Sequence, residues 1–202
     1  MFNIILGSGS PRRHEILDLA GIEHTVIVPE ADESVIHYTG DCERYVKELA
    51  KLKSRALAGL LGTSEYKTKI DFSHTVTICA DTVVFSPKKP YPLGKPKSFD
   101  DAFDMLKTFS GTYHYVMTGV CIRKNTISEV VFTEETKVHF RKLSDSEIID
   151  YINVEKPYDK AGAYGIQDRA CACVSGIEGD FYNVMGLPVC RIEEKLKELD
   201  VF

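Results

Sequence analysis

Phe2-Asn3-Ile4-Ile5-Leu6 runs directly into Gly7-Ser8-Gly9-Ser10-Pro11-Arg12-Arg13. An apolar run stops at a glycine-broken turn, and a helix begins on its far side. Ser10 is a residue type favoured as an N-cap, and Pro11 suits the first helical position, where its missing N–H is not needed. Strand, tight turn and helix in that order open an α/β chain. Two arginines in a first helical turn oppose the partial positive charge of the helix N-terminus unless an anion sits there. Free backbone N–H groups, hydroxyls and two guanidinium forks describe a phosphate pocket, although a surface turn with two solvated arginines uses the same residues.

Working outward, strands and helices continue to alternate. The helix from Pro11 reaches Ala20 and closes at Gly21, and a short strand covers His24 to Val28. Pro29 to Gly40 reads as a polar loop carrying Glu30, Asp32 and Glu33. Asp41 opens a long helix with Tyr45, Leu49, Leu52, Ala56 and Leu60 along one side, ending at Gly62. Thr63 to Ser73 is polar and reads as a surface excursion. Thr75 to Ala80 is the best strand of the chain, continued by Asp81 to Phe85. Ser98 caps a helix to about Thr108; Thr112 to Arg123 and Thr126 to Phe140 form an antiparallel hairpin joined at Lys124-Asn125. Ser144-Asp145-Ser146-Glu147 is a capping box for a helix to Asn153. An irregular stretch, Pro157 to Gln167, precedes a strand near Ala170 to Ser175, and Pro188 opens the last helix. The mid-chain hairpin predicts a mixed sheet rather than a purely parallel one.

The chain has 202 residues, 44% hydrophobic and 27% charged, with a net charge of −5. That is ordinary for a globular protein and predicts a single domain over 1–202. An acidic balance predicts no general binding of nucleic acid or anionic membrane, so an anion site has to be local. Nothing approaches about 18 consecutive apolar residues, and the start lacks the features of a secretory signal. The six cysteines form no CxxC pair, and no cysteine or histidine spacing suggests a zinc site. Cys79 and Cys121 read as core residues, Cys171 and Cys173 as neighbours on one face of a strand, and the compartment as cytoplasmic.

Asp81 stands out chemically. A carboxylate inside the run Ala80-Asp81-Thr82-Val83-Val84 has to pair with a cation, bind a metal or line a cleft. Asp32 and Glu33 are solvated acids on their own and Mg²⁺ ligands beside a triphosphate. Lys53 and Lys95 would not be singled out alone. In Asp159 to Gln167 the glycines allow close backbone approach, Tyr164 offers a flat face, and Gln167 can donate and accept together, which suits uracil or thymine. The segment Gly179 to Pro188 reads as a packed structural loop.

Taken together, Ser8-Gly9-Ser10-Pro11-Arg12-Arg13, Asp32-Glu33, Lys53, Ala80-Asp81-Thr82-Val83-Val84, Leu93-Gly94-Lys95-Pro96, Asp159 to Gln167 and Asn183-Val184-Met185-Gly186-Leu187-Pro188 resemble the Maf family of nucleotide pyrophosphatases. The resemblance implies a mixed α/β fold of the inosine-triphosphatase type, a twisted sheet with flanking helices and two lobes around a cleft. It implies hydrolysis of nucleoside triphosphates to monophosphate and pyrophosphate, a divalent cation (Mg²⁺ or Mn²⁺) near Glu33, a cytoplasmic location and a homodimer. By position, Asp81 matches the family's acid–base residue, assisted by Lys53 and Lys95, while Ser8, Arg12, Arg13, Thr82 and Gln167 contact substrate. Arg12, Thr82 and Gln167 fall where members differ by substrate, and all three match the branch acting on dTTP and UTP. The alternatives are a pyrophosphatase for 7-methyl-GTP or other modified nucleotides, and a nucleotide-binding regulator of cell division without turnover. Two departures from the family pattern are Asp168-Arg169 after Gln167 and the length of Thr63 to Ser73.

Overall fold

The computed structural model describes residues 2–125 and 128–202. Thr126 and Ile127, where the second run of the hairpin is expected to begin, lie outside the described residues. Among the described residues six strands form one sheet: β1 (Asn3–Leu6), β2 (Thr25–Val26), β3 (Thr75–Phe85), β4 (Tyr113–Lys124), β5 (Ser128–Phe140) and β6 (Val174–Glu178). Their order is β2-β1-β3-β4-β5-β6. β1 pairs parallel with both β2 and β3, and β5 pairs antiparallel with β6, so the sheet is mixed as expected. The helices are α1 (Pro11–Leu19), α2 (Cys42–Leu61), α3 (Ser64–Lys67), α4 (Phe99–Phe109), α5 (Asp145–Glu155), α6 (Phe181–Met185) and α7 (Val189–Glu198). Among the described residues no helix is long and apolar enough to cross a membrane.

The chain forms two compact units. The first comprises Met1–Asp81, Thr118–Thr133 and Gly186–Phe202; the second comprises Thr82–Met117 and Glu134–Met185. In the first unit, α2 starts at Asp41, whose side chain accepts from the Arg44 N–H, a cap that contributes about 1 kcal/mol. The face it buries differs from the one expected. Val46, Leu49, Ala50, Leu57 and Leu61 point inward, while Tyr45, Leu52, Ala56 and Leu60 are only half-buried. Both stripes are apolar at helical spacing, and packing of Leu57 and Leu61 against Ile5 and Cys79 selects one. Thr63 to Ser73 is less superficial than its polarity suggests, because Tyr66, Ile70 and Phe72 pack on that same cluster. β2 is shorter than the run His24 to Val28.

In the second unit, Ser98 caps α4 and Ser144 closes the expected capping box of α5. Phe109 is fully buried, stacked on His114 with centroids 4.0 Å apart. The strand expected from Ala170 begins later: residues 169–172 form a 3₁₀ turn, and β6 starts at Val174. Asp168 accepts from the Ala170 N–H and so nucleates that turn. Cys171 is therefore exposed on a turn, not paired with Cys173 on a strand face. Cys79 and Cys121 are buried as expected, and burial pushes their thiols up to about 12 and about 11. The segment expected to be a packed loop contains the short helix α6, whose fully buried Asn183 donates to the Val116 carbonyl (3.1 Å) and to Thr136 Oγ1 (3.0 Å).

Candidate active site

The turn after β1 is built by contact. The Gly7 N–H donates to the Ile78 carbonyl at 2.8 Å, and a Cβ at Gly7 would lie 2.4 Å from Cys79 Sγ and 2.8 Å from Leu57 Cδ2. Only glycine lets the turn lie this close to β3. Ser10 occupies the N-cap position of α1 without a side-chain cap bond. Its N–H instead donates to Ser8 Oγ at 3.3 Å, so Ser8 organises the turn.

Arg13 is 8% exposed, and its guanidinium is committed to the protein. Nη1 donates to Ser8 Oγ (3.0 Å) and to the Ala80 carbonyl (2.8 Å), while Nε donates to the Gly186 carbonyl (2.7 Å). Burial draws its pKa below the ordinary arginine value, Asp81 opposes that shift, and the like charge of Arg12 adds to it. Arg12 is half-buried. One arginine thus ties the first turn of α1 to the residue preceding Asp81.

Asp81 is 8% exposed and Lys53 donates from Nζ to its Oδ1. The same ammonium lies 2.9 Å from Glu33 Oε1. Glu33 starts a 3₁₀ turn capped by Asp32, whose carboxylate accepts from the Ser34 N–H (3.0 Å) and hydroxyl (2.6 Å). Those bonds hold the Asp32 pKa below its usual value. Asp32 is thereby committed to the turn and Glu33, with a side chain 54% exposed, is presented outward. Two carboxylates on one lysine give a net negative cluster of hard oxygen donors, the chemistry that Mg²⁺ and Mn²⁺ select.

Tyr45 was read from the sequence only as part of an apolar stripe, yet Asp81 and Glu33, after burial, raise its pKa. Its phenol therefore lies within the field of the two carboxylates. A phenol on the stripe that also bears a lysine two turns on (Tyr45 and Lys53) was the available signal.

In the second unit, Leu93 bridges to Val84, with its N–H donating to the Val84 carbonyl at 2.7 Å. The next carbonyl, that of Gly94, accepts from the Gly162 N–H at 3.0 Å, which joins the loop of Lys95 to that of Gln167. Gly162 has φ +71, and a Cβ there would lie 3.0 Å from Val84 Cγ2. Tyr151 Oη donates to Asp168 Oδ1 (3.1 Å) and accepts from the Gly165 N–H (3.4 Å), holding the loop from below. Lys95 and Gln167 are exposed, and among the described residues no hydrogen bond or ion pair holds either side chain. Thr82 is half-buried in β3. The ring of Tyr164 is not offered to a ligand. It is 6% exposed, its hydroxyl lies 2.7 Å from His114 Nε2, and Phe109 and Phe140 surround it. Burial raises its pKa and pushes that of His114 down to about 3.

The first unit therefore gathers Ser8, Arg13, Glu33, Lys53 and Asp81, and the second carries Thr82, Lys95 and Gln167. Comparison with known proteins gives three results. Residues 3–199 match the family described as Maf-like protein. A dTTP/UTP pyrophosphatase of Clostridium perfringens is 42% identical over 200 residues, 98% of this chain and 97% of that one. Another of that name, from Thermosipho melanesiensis, is 44% identical over 191 residues, 94% of each chain. Among solved structures, the Ham1 protein of Staphylococcus aureus superposes with a TM-score of 0.50 at 12% identity, covering 97% of this chain and 98% of its own. A HAM1 protein from Coxiella burnetii gives 0.50 at 12% identity, covering 98% of this chain and 100% of its own. At that identity the likeness concerns the fold alone.

Proposed function

The chain belongs to the Maf-like protein family, and from that premise we propose how its residues hydrolyse dTTP and UTP to the monophosphate and pyrophosphate. It is a nucleoside triphosphate pyrophosphatase, the activity named for its full-length relatives. The observation that carries the assignment of residues is the Glu33–Lys53–Asp81 cluster: a nearly buried carboxylate, oriented by one ammonium, beside a second and more exposed carboxylate.

Asp81 is the general base. It takes a proton from water as the water oxygen bonds to the α-phosphorus, and the bond from that phosphorus to the bridging oxygen breaks to release pyrophosphate. Lys53 holds the carboxylate in place and is close enough to balance its charge. Arg12 and Lys95 meet the phosphates as cations, and Ser8 and the N–H groups of the turn complete the anion site. Arg13 supports them from beneath as a buried cation whose donors fix the turn. Thr82 and Gln167 match the positions that vary with the base, and Gln167 pairs with the edge of uracil or thymine. Glu33, with Asp81 beside it, would hold a divalent Mg²⁺ or Mn²⁺, whose chemistry is to neutralise phosphate oxygens and polarise the phosphorus.

We place the protein in the cytoplasm and expect a single functional domain that pairs as a homodimer. The test is pyrophosphate release from dTTP, UTP and 7-methyl-GTP, with Mg²⁺ and without it. Metal-dependent release from the two pyrimidine nucleotides, lost in Asp81→Asn, is the expected result. No release from any of the three overturns it.

A further inference from the structure

His14, Asp18 and His24 are drawn together by the end of α1. Ala20 caps that helix, Gly21 turns left-handed at φ +69, the Ile22 N–H reaches the Leu17 carbonyl (2.9 Å), and the Gly21 N–H reaches that of Asp18 (3.0 Å). These two bonds are a Schellman motif, a rigid reversal of the chain. It carries His24 back against the face of α1 that presents His14 and Asp18 at i and i+4. His14 Nδ1 lies 2.7 Å from His24 Nε2, His14 Nε2 lies 3.4 Å from Asp18 Oδ2, and His24 Nδ1 lies 3.9 Å from Asp18 Oδ1. One ligand atom from each residue falls within 4.8 Å of the others.

The hydrogen bonding orients this cluster for a metal. The ring of His24 is 1% exposed, and its Nδ1 lies 2.8 Å from the Ile22 carbonyl. A carbonyl accepts only, so in the neutral ring Nδ1 carries the hydrogen and Nε2 presents a lone pair. A backbone carbonyl on the second ring nitrogen is the arrangement that orients histidine as a metal ligand. His14 Nδ1 must then donate to His24 Nε2, which leaves its own Nε2 lone pair facing the Asp18 carboxylate. Two electron-rich groups at 3.4 Å are the pairing that a bound metal cation satisfies. His14 and Asp18 have side chains 50% and 58% exposed, so both can turn toward a shared ion while His24 stays fixed.

We propose that His14, Asp18 and His24 form a binding site for a divalent transition metal of borderline softness, such as Zn²⁺, which staples α1 to the segment entering β2. Two imidazoles and one carboxylate suit Zn²⁺, Ni²⁺ or Cu²⁺ and not the all-oxygen preference of Mg²⁺. The site is thus chemically distinct from that of Glu33 and Asp81. Nothing in the spacing of the three residues along the chain announces it, because it depends on the reversal at Gly21. The stapled helix is the one whose first turn carries Arg12 and Arg13, so the metal fixes the mounting of the anion turn.

The test uses the full chain, freed of metal with a chelator, and titrates Zn²⁺ calorimetrically. One ion per chain is expected, with binding weakened at least ~10-fold in Asp18→Asn and in His14→Gln, two exposed substitutions that leave the fold intact. Zn²⁺ should raise the unfolding temperature of the parent and not of either variant. Co²⁺ in its place should show ligand-field bands without thiolate charge transfer, which separates the site from exposed Cys171 and Cys190. Absence of binding, equal binding in the variants, or a thiolate band each overturns the proposal. Mg²⁺-supported UTP hydrolysis by the metal-freed Asp18→Asn protein should match the parent, so failure of this site and failure of the pyrophosphatase reading are seen in different measurements.

Discussion

Arg13 donates from Nη1 to the carbonyl oxygen of Ala80 at 2.8 Å, so a buried cation is bonded to the peptide unit that leads into Asp81. The same guanidinium holds Ser8 and Gly186. The position of the turn after β1 and that of Asp81 are thereby tied to one side chain.

Arg13→Gln should accordingly lower both stability and turnover. Charge-assisted bonds to three acceptors are lost, at a cost of about 3 kcal/mol in urea unfolding. Arg13→Lys should recover little, because an ammonium lacks the planar fork that reaches Ser8, Ala80 and Gly186 together. Full stability in the lysine variant would show that the fork geometry is immaterial.

Asp81→Asn should leave a folded protein that releases pyrophosphate from UTP at least ~100-fold more slowly. The near-isosteric amide keeps the volume and cannot take a proton. Circular dichroism of the variant, compared with the parent, separates lost chemistry from lost fold.

Lys53→Gln should reduce kcat by about 100-fold, with a smaller effect on KM. Glu33 and Asp81 then face each other with no ammonium between them, and the base loses its orientation. Steady-state kinetics on dTTP read the split directly; an effect confined to KM would make Lys53 a substrate contact only.

Gln167→Glu should lower kcat/KM for UTP by at least ~10-fold without changing the unfolding midpoint, since the side chain is exposed and no hydrogen bond or ion pair among the described residues holds it. The carboxylate accepts where the amide both accepted and donated. The ratio of UTP to 7-methyl-GTP rates is the quantity to follow.

His114 predicts a pH dependence of stability. Its folded pKa, near 3, lies below the value of 6.5 for an unburied imidazole, because burial disfavours the charged ring. Below pH 6.5 the unfolded chain binds a proton that the native protein refuses, so stability falls as pH falls from 6.5 toward 3, by about 1.4 kcal/mol per unit at most. Above pH 6.5 the contribution is fully present. Urea midpoints between pH 7.5 and pH 5 should fall more steeply for the parent than for His114→Phe, by the equivalent of one proton.

Local signals carried most of the fold. The caps at Asp41, Ser98 and Ser144 each act within three residues of themselves, and all three helices start where those residues stand. Asp81 was legible because a carboxylate in an apolar strand is costly wherever the strand packs. Lys53 was not, since the pairing that matters lies 28 residues away on another element. Nor were the partners of Arg13, which include two backbone carbonyls and so leave no trace in residue identity. The inward face of α2 and the burial of Tyr164 failed to show for a related reason: either side of an apolar helix, or either face of an aromatic ring, is equally apolar until a neighbour chooses.

β3, β4 and β5 each begin in one unit and end in the other, changing over at Asp81–Thr82, Met117–Thr118 and Thr133–Glu134. No contiguous stretch of the gene therefore encodes either unit. A premature stop anywhere from Thr82 to Met185 removes parts of both at once. Asp81 and Thr82 are inherited as adjacent codons although they belong to different units. Exchanging contiguous halves of the chain with a relative therefore splits both units, whereas single substitutions leave each intact.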